Sequence, residues 1–204
     1  QKIDGKPIVF IFSAATLETN ARRFGKSTKE LFDLANKIAI SSGFSGIYFI
    51  GGAGAYDEIF KSNPPVSGYS AYSAYNYHTG RKTLTSQPFV FSHNYEELSK
   101  GYQYHWEWFL KNKNLPYILP MTSGWDKRPW GGSLDPFHDD SLSTPQLFES
   151  HLLAAKTYMD KYPEKSLKTG VICCWNEFGE GSYIEPTKVH GFSYLEKVKK
   201  VFGR

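Results

Sequence analysis

Two glutamates near the C-terminus are spaced so that they could work as a pair of acids. Glu177 and Glu180 lie three residues apart in the run WNEFGEGSYIEP, and Gly179 and Gly181 permit a tight turn. Cleavage of a glycosidic bond needs two carboxyl groups, one to protonate the leaving oxygen and one to act as nucleophile or base. Two close carboxylates in a partly apolar site also drive their pKa values apart, so that one stays protonated near neutrality. The plainer alternative is a solvated acidic turn.

A second candidate cluster is the run SGWDKRPW at residues 123–130. Asp126 and Arg128 could hydrogen-bond sugar hydroxyls, while Trp125 or Trp130 could supply an apolar platform. The alternative is an Asp126–Arg128 ion pair that holds the loop. The two interpretations are compatible.

The third cluster comprises Tyr72, Tyr75, Asn76, Tyr77 and His78, and in it Tyr75 and Tyr77 alternate with Asn76. In an extended segment alternate side chains point in opposite directions, and we expect Asn76 and Tyr77 to line a site. Glu185, which precedes Pro186, is expected either to have a structural role or to hydrogen-bond a substrate hydroxyl. The other candidates for substrate contact flank the first glutamate, and they are Trp175 and Asn176.

Strand-like runs alternate with segments of helical period, which predicts a parallel α/β fold. Five strands are predicted, at Ile8–Phe12, Gly46–Ile50, Tyr69–Tyr75, Tyr117–Met121 and Gly170–Trp175. The clearest helix follows Ser27, which forms a capping box with Glu30. The apolar stripe of this helix is predicted to comprise Leu31, Leu34, Ala35 and Ile38. Further helices are predicted at 95–110, 145–158 and 194–202.

The three polar clusters each follow a predicted strand. In parallel α/β folds, ligands collect where the C-terminal ends of the strands converge. A complete eight-stranded barrel needs about 250 residues, and this chain has 204. We therefore expect an α/β fold of the (β/α)8 TIM-barrel type, with about the last five βα units present and the N-terminal strands absent. Residues 1–204 would then form a single catalytic-type domain.

The charge distribution argues against some partners. The net charge of +4 comes from 24 basic and 20 acidic residues spread along the chain, and no basic run is long enough to track a phosphate backbone. Nucleic acid is therefore not expected as a partner. Apolar runs are shorter than the ~20 residues of a membrane span, and no transmembrane segment is expected. The sequence does not begin with Met and shows no export signal, and we expect residues upstream to be missing. A soluble domain is expected, while the compartment and the oligomeric state stay open.

Cofactor motifs are weak. The glycines at 51–54 lack phosphate-cradling spacing, and the histidines at 78, 93, 105, 138, 151 and 190 lack ligand spacing, so neither a cofactor nor a metal is expected. Cys173 and Cys174 are neighbours in an apolar stretch and are expected to be small buried hydrophobes rather than a disulfide scaffold. Aromatic residues make up 17% of the chain, which suits stacking on sugars, although core packing explains most rings.

The run WNEFGEGSYIEP, followed by GFSYLE at residues 191–196, resembles the C-terminal signature of the glycoside hydrolase family 99 and 71 superfamily, which includes WbsX-like proteins. Further similarity spans nearly the whole chain: GKPIVFIF at 5–12, GIYFIGG at 46–52, SAYNY at 73–77, SGWDKRPW at 123–130 and the helix around 151–156. The run EFGEG in this chain matches the WbsX-like branch more closely than it matches the characterised hydrolases, which have a run resembling EWHEG at this point.

The resemblance implies a (β/α)8 barrel that cleaves α-mannosidic bonds inside chains with retention. It gives Glu177 the role of assisting attack by the sugar's own 2-hydroxyl and Glu180 the role of general acid/base. Three functions stay open, all with an oligo- or polysaccharide as partner. They are a retaining endo-acting α-mannosidase-like hydrolase, a WbsX-like glycosyltransferase in lipopolysaccharide or surface polysaccharide biosynthesis, and a non-catalytic glycan-binding protein.

Overall fold

A computed structural model describes residues 2–53 and 68–203. The chain divides into two compact units, the first formed by Gln1–Tyr75 with Leu115–Tyr117 and the second by Asn76–Asn114 with Ile118–Arg204. The predicted glycine run at 51–54 ends outside the described residues, because residue 54 is not among them.

The first unit is built on a four-stranded sheet with strand order β1-β2-β3-β4. Its elements are β1 (Lys2–Ile3), β2 (Lys6–Ile11), α1 (Ala14–Arg23), α2 (Thr28–Ser41), β3 (Tyr48–Ala53) and β4 (Ala71–Ala74). β1 runs antiparallel to β2, whereas β2, β3 and β4 are parallel, with Ile8 opposite Tyr48 and Ile50 opposite Ala71. The helices α1 and α2 connect the parallel strands β2 and β3. Parallel neighbours need a long crossover of this kind, because the chain must return to the same end of the sheet.

Helix α2 begins at the predicted capping box. The Ser27 hydroxyl accepts the N–H of Glu30 at 3.2 Å, and the Glu30 carboxylate accepts the N–H of Ser27 at 2.7 Å. The helix packs through Phe32, whose ring stacks on Phe49 with centroids 3.8 Å apart.

The predicted apolar stripe of α2 is wrong in part. Leu34 and Ile38 are both more than half exposed, whereas Thr28 and Phe32 are buried. The buried face is thus set by the aromatic contact with the sheet, and the neighbouring leucine and isoleucine positions lie at the surface of this unit.

The second unit combines short strands with four helices. Its elements are α3 (Tyr95–Asn112), β5 (Leu119–Thr122), β6 (Gly124–Trp125), β7 (Ser141–Leu142), α4 (Pro145–Lys161), α5 (Pro163–Ser166), β8 (Gly170–Cys173), β9 (Asn176–Glu177), β10 (Ser182–Tyr183) and α6 (Ser193–Phe202). β5 and β8 are parallel, whereas β6–β7 and β9–β10 are antiparallel pairs. Single 3-10 turns occur at Arg128–Trp130, Pro136–Asp140 and Phe178–Glu180.

The core of the second unit lies where α3 and α4 cover β5. Trp106 is fully buried, and its indole N–H donates to the carbonyl of Pro120 at 2.9 Å. His151 of α4 is also buried and bonds the Ser99 hydroxyl of α3 through Nδ1 at 2.8 Å. These polar contacts satisfy buried groups while the surrounding aliphatic and aromatic side chains are removed from water.

The predicted elements correspond to observed ones. Each of the five predicted strands overlaps β2, β3, β4, β5 or β8, and each predicted helix overlaps α2, α3, α4 or α6. The sequence pattern missed α1, α5 and the two-residue strands, which are too short or too polar to show a clear apolar period. The fold is mixed α/β. In the described part of the chain, no helix combines the length and apolar character needed to cross a membrane.

We expect Ser27→Ala to lower the free energy of unfolding by about 1 kcal/mol, because the substitution leaves the Glu30 N–H at the start of α2 without its capping partner. Urea denaturation followed by circular dichroism measures this change. Ser150→Ala is the matched control, since that exposed hydroxyl bonds only its own helix at Gln146; its effect should stay within about 0.5 kcal/mol. Equal effects of the two substitutions would argue against a contribution from the cap.

Candidate active site

Both predicted acids lie on one tight hairpin. β9 and β10 pair so that Glu177 is opposite Ser182 and Asn176 is opposite Tyr183. Between the strands the chain makes the 3-10 turn that ends at Glu180, and Gly181 closes it with φ of +62°, a backbone conformation that favours glycine. The two carboxyl groups are therefore carried by a short, constrained segment directly after β8.

The hairpin is anchored at the C-terminal ends of the two parallel strands β5 and β8. The Ser182 hydroxyl is buried; it donates to the carbonyl of Cys173 at 3.2 Å and lies 3.2 Å from the hydroxyl of Thr122. The N–H groups of Ile184 and Glu185 donate to the Trp175 carbonyl at 3.1 and 2.9 Å. The site thus occupies the strand-end position at which parallel α/β proteins bind ligands.

The second predicted cluster lies against this hairpin. The Asp126 N–H donates to the carbonyl of Glu180 at 2.7 Å. A Cβ added to Gly181 would come within 2.7 Å of the Asp126 backbone nitrogen, and one added to Gly179 would come within 2.1 Å of Cε2 in Trp130. Glycine is required at both positions because the 123–130 segment approaches so closely.

The environment raises the pKa of Glu180. Burial of its side chain is the largest cause, and the neighbouring Glu177 carboxylate raises the pKa further, while the positive charge of Lys127 opposes both. Glu180 therefore keeps its proton to higher pH than an ordinary glutamate does.

Asp126 and Arg128 form a bidentate ion pair, with Nε to Oδ1 and Nη2 to Oδ2 both at 2.8 Å. Hydrogen bonding from Arg128 holds the pKa of Asp126 below its usual range. Arg128 also donates to the Asp139 carbonyl at 3.0 Å and to the Asp140 carboxylate at 3.3 Å. The loop-holding interpretation of this pair is thus observed, whereas its contact with substrate stays a prediction.

Trp125 lies beneath the surface rather than at it. Its side chain is 9% exposed, its indole N–H donates to the Ser133 hydroxyl at 2.9 Å, and its ring meets that of His78 edge-on at 4.2 Å between centroids. His78 Nδ1 in turn lies 2.9 Å from Nε2 of His138. Burial lowers the pKa of His78 to about 3, so this imidazole is neutral at ordinary pH. This histidine pair was not predicted, because 60 residues separate its members and no sequence spacing indicates their contact.

Asn76 and Tyr77 are both buried against α3. The Asn76 side-chain oxygen accepts the Tyr102 hydroxyl, and the Tyr77 ring stacks on His105 with centroids 4.1 Å apart. The Asn76 amide nitrogen is buried without a hydrogen-bond partner in the described chain. Both residues belong to the interior of the second unit, and a role in lining a site stays a prediction.

The predicted residues flanking Glu177 are more open. Trp175 is 51% exposed, Asn176 is also exposed, and Glu185 is partly buried. The structure therefore places one indole and one amide at the surface beside the glutamate hairpin.

A family model described as Glycosyltransferase WbsX matches residues 1–198. The chain belongs to the WbsX glycosyltransferase family. This membership confirms the predicted resemblance to the WbsX-like branch. A comparison with curated proteins found no match.

One solved structure described as a glycoside hydrolase-like protein is similar to this WbsX family member. The match covers 100% of this chain and 56% of that protein, at 18% sequence identity and a TM-score of 0.64. The chain thus spans little more than half the length of the structure it matches. At this identity the likeness shows a shared fold.

Cys173 and Cys174 of this WbsX family member are both buried, as predicted. Across residues 2–53 and 68–203, no group of three or more His, Cys, Asp and Glu side chains is arranged to hold a metal ion.

Gly179→Ala should destabilise the protein by about 1–3 kcal/mol, because the new methyl group would overlap the Trp130 ring. In a Trp130→Ala background the same substitution should cost clearly less. A double-mutant cycle in chemical denaturation measures this coupling. An equal cost in both backgrounds would show that the ring contact is not the reason for glycine at this position.

Proposed function

We propose that the protein is a carbohydrate-active enzyme that cleaves glycosidic bonds, specifically a retaining, endo-acting α-mannosidase-like hydrolase of oligo- or polysaccharides. The observation that carries the proposal is the hairpin with Glu177 and Glu180, in which burial and the neighbouring carboxylate raise the pKa of Glu180. Membership of the WbsX family supports a saccharide substrate.

In the first step Glu177 removes the proton of the sugar's 2-hydroxyl, and that oxygen attacks the anomeric carbon. The bond from the anomeric carbon to the leaving oxygen breaks, and Glu180 gives its proton to that oxygen. Glu180, now a carboxylate, then takes a proton from water, whose oxygen opens the three-membered ring at the anomeric carbon. Glu177 returns its proton to the 2-oxygen. Two inversions at one carbon give net retention.

The environments of the nearby carboxyl groups support this division of roles. A general acid must be protonated at working pH, which suits Glu180 with its raised pKa. Asp126 is unsuited to the same role, since its bidentate bond with Arg128 stabilises the carboxylate. Asp126 instead holds the segment that borders Glu180.

We also propose a TIM-type (β/α)8 architecture, to which this chain contributes about five βα units as one catalytic-type domain. The parallel pairing of β2–β3–β4 and of β5–β8 supports it, as does the position of the glutamate hairpin directly after β8.

A second candidate function is glycosyl transfer in the assembly of lipopolysaccharide or another surface polysaccharide, and the description of the matching family favours it. The same two acids would serve, with an acceptor hydroxyl in place of water. Incubation with sugar nucleotides and with oligosaccharide donors, each with and without an acceptor, separates transfer from hydrolysis by the products formed.

Glu177→Gln and Glu180→Gln should each lower kcat on a responsive α-mannoside at least about 100-fold, because each removes a proton-transfer group. Glu196→Gln, on the exposed face of α6, is the matched control and should leave kcat unchanged. Wild-type turnover in the two site variants would refute the assignment. Glycan binding without turnover in any variant or at any pH would instead favour a non-catalytic binding protein.

Lys127→Met should move the alkaline limb of the pH–rate profile to higher pH. The positive charge of Lys127 lowers the pKa of Glu180, so its removal raises that pKa. Because Glu180 must be protonated to act, activity is lost as pH rises through its pKa and would then persist further into the alkaline range. Lys199→Met in α6 is the control. An unshifted limb, or one displaced to lower pH, would contradict Glu180 as the acid.

A further inference from the structure

Trp130 presents a large exposed aromatic surface next to the glutamate hairpin. Its ring lies against Gly179, where an added Cβ would come within 2.1 Å of Cε2 and 2.2 Å of Nε1. The side chain is nevertheless 59% exposed. The backbone N–H of Trp130 donates to the Lys127 carbonyl at 2.8 Å, and this bond fixes the backbone that carries the ring. The indole is therefore held by the hairpin on one side and open to solvent over most of its surface.

The segment that carries Trp130 borders Glu180 rather than Glu177. Its Asp126 N–H bonds the Glu180 carbonyl, and its Lys127 acts electrostatically on the Glu180 carboxyl group. A general acid must lie within hydrogen-bond reach of the leaving oxygen. If Glu180 is the proton donor, the sugar attached through that oxygen would lie close to this segment.

The other two indoles near the hairpin do not fit that position. Trp125 is 9% exposed and already donates its N–H to Ser133. Trp175 is 51% exposed, but it precedes β9 at the base of the hairpin, where its carbonyl accepts the N–H groups of Ile184 and Glu185, whereas the Asp126 N–H bonds Glu180 in the turn.

We propose that Trp130 is the platform for the sugar on the leaving-group side of the scissile bond, an inference that rests on the proposed role of Glu180 as proton donor. The apolar C–H face of a pyranose would cover the exposed indole, removing apolar surface from water on both partners. Trp130 thus binds the leaving-group sugar of an extended glycan. A substrate whose leaving group is not a sugar would not use this platform.

Two substrates with the same donor sugars test this role. An α-linked mannotetraose places two sugars beyond the scissile bond, whereas α-mannobiosyl fluoride has fluoride in their place. Trp130→Ala should lower kcat/KM on the tetraose roughly tenfold more than on the fluoride, and Trp130→Phe should recover most of this difference. Leu134→Ala, which truncates a fully exposed side chain of the same loop region, should change neither. A loss of equal size on both substrates, or on neither, overturns the proposal.

A binding measurement separates this inference from the catalytic one. If the wild-type protein turned over neither substrate, the proposed function would fail, and calorimetric binding of mannotetraose would decide the role of Trp130. Weaker binding by Trp130→Ala than by Leu134→Ala would support the platform. Equal binding by the two variants, or no binding by the wild-type protein, would refute it.

Discussion

The Asp126 N–H donates to the Glu180 carbonyl across 2.7 Å, and this contact determines how the acid-bearing hairpin lies against the 123–130 segment. The approach requires glycine at 181, where a Cβ would come within 2.7 Å of the Asp126 nitrogen, and at 179, where it would come within 2.1 Å of the Trp130 ring. The partial burial of Glu180 and the position of the Trp130 ring both follow from this close contact between the hairpin and the 123–130 segment. A β-carbon at either glycine would separate the two segments and disturb both features.

Electrostatic division among the carboxyl groups is a second consequence of that packing. Arg128 takes both oxygens of Asp126 and stabilises its ionised form. Glu180 has no such partner among the hydrogen bonds of the described residues; its principal neighbours are the Glu177 charge and the weaker opposing charge of Lys127. The 123–130 loop thereby holds Asp126, whose pKa is lowered, next to Glu180, whose pKa is raised. Such a difference in environment commonly separates structural from catalytic carboxyl groups.

Features encoded by nearby residues were predictable from the sequence, and features that depend on distant contacts were not. The Ser27–Glu30 capping box and the positive φ of Gly181 in its turn involve only neighbouring residues, so residue types and spacing suffice to predict them. The burial of Trp125 depends on His78 and on Ser133, which the chain brings together only after folding. Likewise the exposure of Leu34 follows from the Phe32–Phe49 stack, which decides how α2 is rotated on its sheet. Apolar periodicity gives the face of a helix only approximately when one aromatic contact dominates its packing.

Membership of a glycosyltransferase family and likeness to a glycoside hydrolase-like fold are compatible on the proposed chemistry. After the first step the Glu180 carboxylate needs an O–H proton, and either water or a sugar hydroxyl can provide it. If Trp130 holds a sugar on the leaving-group side, that sugar places a hydroxyl beside Glu180 and keeps water away from it. Occupancy of the indole platform would then decide between transfer and hydrolysis, because in the proposed mechanism the same two glutamates would complete either reaction.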